Sequence, residues 1–154
     1  MLTSLLAALT LATAPVEAAS PQKPAAPAAA AAASNAKADP DLELAKKAAL
    51  EWLALLDSGR FEASFDEAAL SFQKVQKKPD WAKGLSGARG QAGKFLSRAF
   101  LNDEIRTNLP NLPPGKYITV RFKTVFAKYA TASESVTLVR DGKRGFRTIA
   151  YFLG

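Results

Sequence analysis

The chain has 154 residues, contains neither Cys nor His, and carries a formal net charge of +7. Those two absences exclude a disulfide scaffold, a Cys nucleophile, a Ser-His-Asp triad and a zinc site of the usual His/Cys type, so any catalysis has to use carboxylates, Lys, Tyr or Ser. The charge is uneven: residues 1–73 hold 5 basic and 9 acidic side chains and residues 74–154 hold 16 and 5, giving a basic C-terminal half that either attracts polyanions or serves as a solvated face.

The first eighteen residues read as a secretory signal. An apolar run from Leu2 to Ala14 is followed by Pro15 and by Val16-Glu17-Ala18, with small residues where a signal peptidase reads. The run is shorter than the roughly 20 residues a membrane span needs. Export to the periplasm or the exterior is therefore expected. From Ala19 to Ala38 the chain is Ala-rich with Pro21, Pro24 and Pro27. It offers no apolar face larger than a methyl group, so a disordered tether is expected there. The remaining 39–154, roughly 115 residues, are enough to bury a core without staples.

Asp39-Pro40-Asp41 supplies an N-cap, a first-turn Pro and acids that suit the helix dipole. The spacing of Leu44, Ala45, Ala48, Ala49, Trp52, Leu55 and Leu56 predicts a helix ending at Asp57-Ser58-Gly59, with Gly59 as its cap. After a short link, Ser64 and Glu67 form a capping-box pattern, and Phe65, Ala68, Ala69, Phe72 and Val75 predict a second helix up to Lys77-Lys78-Pro79. A third helix is expected from Asp80 to about Ala92. Its Gly84, Gly87 and Gly90 each cost about 1 kcal/mol relative to Ala, which implies either close approach to a neighbour or a shorter helix capped by Gly93.

From Lys94 the period changes to two and β-branched and aromatic residues dominate. Four strands are predicted, at 94–106, 116–128, 131–141 and 145–153, the last two joined by a hairpin turn at Asp141-Gly142. Short connections imply an α+β domain, three helices packed on one face of a four-stranded antiparallel meander. Alternation directs Ile118, Val120, Phe122 and Phe126 toward the helices. It also puts Glu134 on the face of Val136 and Leu138, and Arg98 on that of Leu96 and Phe100.

A charge on an apolar sheet face is costly unless it is paired or lines a wet cavity. Arg98 and Glu134 are thus the candidate site, read either as a structural ion pair or as the polar end of a ligand pocket walled by Trp52, Trp81, Phe122 and Tyr151. Other motifs fail. Gly87 to Lys94 has the wrong spacing for a phosphate loop and Phe95 where Ser or Thr is needed, and Asp39 to Glu43 lacks the Gly and distal Glu of a calcium loop. No metal or other cofactor is expected. The basic residues are spread over several strands without a nucleic-acid-binding motif, which with export argues for an envelope polyanion or acidic protein as partner instead.

Several stretches resemble one family. They are Glu51-Trp52 to Asp57-Ser58-Gly59, Trp81, Arg89-x-x-x-Gly93-x-x-x-Ser97-Arg98, Pro114-Gly115-x-Tyr117 with Phe122-x-Thr124-x-Phe126, Glu134-x-Val136-Thr137-Leu138-Val139, and Phe146-Arg147-x-x-Ala150-Tyr151-Phe152. In this order, over about residues 45–153, they resemble the bacterial exported family known as domain of unknown function 4019. The chain departs from the family's usual Trp-Arg and Gly-Tyr near the end, with Phe146-Arg147 and Ala150-Tyr151. The resemblance implies export and a cystatin-like or nuclear-transport-factor-2-like cone, and it implies no activity. Two functions stay open: a non-enzymatic binding or interaction module, or a small-molecule enzyme with Glu134 as acid or base. A sealed, ion-paired interior favours the first and an open pocket with an unpaired Glu134 the second.

Overall fold

The computed structural model describes residues 39–154; the expected signal peptide and tether lie outside the described residues. Helix α1 (Pro40–Asp57) starts where the Asp39 carboxylate accepts the Asp41 backbone N–H at 3.0 Å. Lys116 Nζ then clamps the start of the helix, donating to Asp39 Oδ2 at 2.5 Å and Asp41 Oδ2 at 3.1 Å. One stripe of α1, comprising Ala45, Ala49, Trp52, Leu53 and Leu56, is buried. The helix ends as the sequence predicts: Gly59 takes φ +74°, a left-handed value that favours Gly.

The second predicted helix is two. Helices α2 (Phe61–Asp66) and α3 (Leu70–Val75) are separated at Glu67–Ala69. The expected capping box does not form, because Ser64 lies inside α2 and its hydroxyl donates to the Phe61 carbonyl at 2.6 Å. The break has a tertiary cause. Ala69 N–H donates to the Thr148 carbonyl at 2.9 Å, and Leu70 N–H to Asp141 Oδ2 at 3.0 Å, and these bonds replace those a continuous helix would make.

Helix α4 (Lys78–Ala92) begins two residues earlier than expected, with Pro79 in its first turn, and ends at Gly93 with φ +83°. The close-approach explanation for its glycines is not met within the described residues. A Cβ built at Gly84, Gly87 or Gly90 would touch nothing within 4 Å.

Strands β1 (Phe95–Thr107), β2 (Lys116–Phe126), β3 (Ala132–Arg140) and β4 (Phe146–Leu153) form an antiparallel sheet in chain order, so β1 and β4 are its edges. The β3–β4 link is not a two-residue hairpin. Gly142–Arg144 form a 3-10 turn, and Asp141 N–H closes onto the Gly145 carbonyl at 2.8 Å. Register shifts at Phe95/Ser97 and Phe100/Asn102 insert one extra residue each into β1. The first corrects a face assignment: Leu96 is the bulged residue, 57% exposed, and Phe95, opposite Phe126, takes the inward place.

The core lies between the buried stripe of α1 and the inward residues Ile118, Val120, Phe122, Val136 and Leu138. Each of these large side chains contributes about 1.5–3 kcal/mol by leaving water.

Candidate functional site

Four charged side chains from four different elements meet between the helices and the sheet. Asp57 comes from the last turn of α1, Arg89 from α4, Arg98 from β1 and Glu134 from β3. Arg89 Nη1 donates to Asp57 Oδ1 at 2.8 Å and its Nη2 to Glu134 Oε1 at 2.7 Å. Arg98 donates from Nη1 to Asp57 Oδ2 at 2.9 Å and from Nη2 to Asp57 Oδ1 at 3.1 Å. It also donates to Glu134 Oε2 from Nε at 2.8 Å and Nη2 at 2.6 Å. The result is a closed, charge-neutral ring in which each guanidinium touches both carboxylates.

Glu134 is the most enclosed member, with no exposed surface. Two further donors complete its shell: Tyr151 hydroxyl to Oε1 at 2.7 Å and Thr124 hydroxyl to Oε2 at 2.6 Å. With five hydrogen bonds its acceptor capacity is filled. Aromatic faces seal the rest. Arg98 lies over Phe95 at 4.5 Å and Phe122 at 5.9 Å, Arg89 over Phe126 at 5.0 Å and Tyr151 at 5.7 Å. The Nε of Arg89 is buried without a partner among the described residues.

These contacts govern the protons. Burial opposes the charge on Arg98, and the carboxylates of Asp57 and Glu134 outweigh it, so the group is held cationic. Burial, with the negative charge on Glu134, pushes the Tyr151 phenol far above its ordinary range. Tyr151 is therefore a fixed donor at neutral pH.

The other singled-out residues form a second layer. Trp52 Nε1 donates to the Ser64 carbonyl at 2.8 Å and Trp81 Nε1 to the Ser64 hydroxyl at 3.1 Å. The Trp52 ring lies 6.2 Å from Trp81 and 5.5 Å from Tyr151, centroid to centroid. Phe122 is core, edge-on to Phe100 at 6.4 Å. The structure thus brings Arg98, Glu134 and Tyr151 into one hydrogen-bonded cluster with Trp52 and Trp81 behind it. It places no opening at Glu134: a cleft of about 270 Å³ lined by Asp57, Gly59, Arg89, Gly90, Lys94 and Phe95 reaches the outer edge of the ring and not that carboxylate.

Sequence reasoning passed over three members of the cluster. Asp57 reads as part of a helix stop, and Thr124 as an ordinary strand residue. Arg89 had a usable signal: it falls between Leu85 and Ala92 on the buried stripe of α4, the same mismatch of charge and face that marks Arg98 and Glu134.

The fold and the site define a small α+β domain whose helices are tied to its sheet by an internal, charge-neutral ring. Residues 48–151 match the family model described as "Protein of unknown function (DUF4019)", and the chain belongs to that family. No curated protein and no solved structure matches it. The stretches that carry the resemblance contain Asp57, Arg89, Arg98, Thr124, Glu134 and Tyr151, every polar member of the cluster.

Proposed function

We propose that the protein is an exported binding or interaction module, working in the periplasm or outside the cell behind an Ala/Pro-rich N-terminal stretch, and that its charged interior is scaffold. The observation that carries this reading is the filled shell of Glu134: a fully buried carboxylate holding five donors within a neutral ring has no free lone pair with which to act on a substrate. An enzyme using Glu134 as acid or base would need that group open to a ligand. Function is then sought on the surface. Helices packed on one face of a twice-bulged antiparallel meander also support a cystatin-like or nuclear-transport-factor-2-like cone.

The basic half supplies the chemistry. Lys94, Lys123, Lys128 and Lys143 are exposed, and the reading assigns them to an anionic envelope polymer or headgroup surface. Co-sedimentation with phosphatidylglycerol vesicles and retention on dextran sulfate test it. Binding that weakens steeply between low and physiological ionic strength is expected. No binding to either probe at low ionic strength sinks it.

A further inference from the structure

The second edge of the sheet carries a site of another kind. Among the described residues the far end of β4 is paired only with β3, and α4 runs alongside across a gap. Two adjoining hollows fill that gap: one of about 310 Å³ between Trp81, Gly84 and Leu85 of α4 and Tyr151 of β4, and one of about 450 Å³ that continues past Leu153 between Ala88 and Gln91 of α4 and the β2–β3 turn at Tyr129, Thr131 and Ala132. Ala88 and Leu153 line both, so the hollows form one groove with a helical wall and a strand wall.

The strand wall has unused hydrogen-bonding capacity. Ser133 and Gly154 exchange both backbone bonds, at 2.6 and 3.0 Å, so Gly154 turns its polar groups toward β3. Orientation alternates along an antiparallel strand, and Tyr151 and Leu153 therefore aim N–H and C=O away from β3, into the groove. Among the described residues nothing accepts or donates there. Further up the same edge the Thr148 carbonyl accepts the Ala69 N–H, so this edge already takes on another segment of backbone.

We propose that the groove between β4 and α4 binds an extended polypeptide segment of a partner protein, added to the sheet as a fifth strand beside Tyr151 and Leu153. Main-chain bonds hold such a strand and alternate side chains give specificity. The two hollows follow one another along β4, so they take apolar side chains two positions apart in the segment. Asp80, exposed at the rim of the first hollow, favours a Lys or Arg at that end. A second copy's β4 paired antiparallel here would bring its own α4 onto the same face of the sheet, against this one. A second copy's β1 presents an edge interrupted by two bulges. The assignment rests on the binding-module reading and not on the basic surface.

The test pans a random-peptide phage library against the full chain, then titrates a synthetic version of the enriched peptide while amide exchange is followed by NMR. The expected result is enrichment of peptides with two alternate apolar residues and a flanking cation, with the Tyr151 and Leu153 amides gaining at least about tenfold protection on binding. Gly84→Leu projects a side chain into open space in the groove, and Leu153→Pro deletes one outward N–H. Each should weaken binding about tenfold or more while the fold persists. The proposal is overturned by failure to enrich any peptide, by unchanged protection at Tyr151 and Leu153, or by peptides that bind Gly84→Leu as well as the parent. Enrichment of acidic peptides that map to the lysines overturns it too, and leaves the polyanion reading standing.

Discussion

Arg98 places two donors on a single oxygen of Glu134, Nε at 2.8 Å and Nη2 at 2.6 Å from Oε2, and turns its remaining edge to Asp57. Glu134→Gln would keep the shape and remove one of the two negative charges that balance two buried guanidinium groups. Losing one partner of a buried pair costs about 3–5 kcal/mol. Urea unfolding should show a midpoint lowered accordingly with an unchanged slope. A loss below about 1 kcal/mol would mean the ring contributes no more than a surface pair.

Tyr151 gives the pH prediction. Burial and the adjacent Glu134 raise its phenol far above the ordinary value, and burial alone raises that of Tyr117. Both groups hold their protons more tightly folded than unfolded, so the unfolded chain loses protons first as pH rises through about 10. These two phenols should leave stability unchanged below that range and lower it above, and absorbance at alkaline pH should show Tyr151 ionising only as the protein unfolds. Tyr151→Phe should abolish most of the alkaline loss; an unaltered profile in that variant would contradict the assignment.

At the acid end the start of α1 is the sensitive point. Hydrogen bonds from Lys116 lower the carboxyl groups of Asp39 and Asp41, and Arg140 adds to the effect at Asp41. Depressed carboxylates contribute stability above their ordinary range and lose it as pH falls through and below that range. These groups face solvent, so the effect should shrink in high salt. Lys116→Met should flatten the acid limb of a stability profile taken at low ionic strength. A limb as steep as that of the parent would place the acid sensitivity elsewhere.

How much of this was legible beforehand depends on what each residue had to reveal. Alternation along β2 and β3 identified the inward face and set Glu134 against it, because period-two patterning survives any tertiary context. The bulge at Leu96 was invisible, since an inserted residue has no composition of its own and Leu suits either face. Ser64 and Glu67 imitated a helix start because a capping box is a local pattern, whereas the bonds that break the helix, from Ala69 to Thr148 and Leu70 to Asp141, join distant parts of the chain. The ring was half legible: two members on strands betrayed themselves by their face, Arg89 carries the same mismatch less visibly on a glycine-rich helix, and Asp57 looks like helix punctuation.

The glycines of α4 should separate by function. Gly93 has φ +83°, and a Cβ there would lie 3.1 Å from Lys128 Cγ, so Gly93→Ala should cost about 1–3 kcal/mol. Gly87→Ala and Gly90→Ala add a Cβ in open space and should each stabilise the domain by about 0.5–1 kcal/mol. Thermal melts of the three variants check this. Destabilisation by Gly87→Ala would show that the face has a partner.

Ser64 is the shared anchor of both tryptophans. Its carbonyl accepts Trp52 and its hydroxyl accepts Trp81. Ser64→Ala leaves the first bond and removes the second, stranding a partly buried indole N–H at a cost of about 1–3 kcal/mol. Fluorescence should shift for Trp81 and, in a Trp81→Phe background, stay unchanged for Trp52. A shift in that background would show that the hydroxyl also fixes the Trp52 environment.

The ring on α1, α4, β1 and β3 also bears on how the chain reaches its native state. Four helices and two strands can be in place with Arg89 and Arg98 facing each other across Asp57 alone, and only the arrival of β3 supplies the second carboxylate. Partly assembled forms therefore keep like charges together in a drying interior, which raises their free energy above both end states. Unfolding should proceed in a single kinetic step, and a protease that cuts within β3 should release the whole domain to digestion.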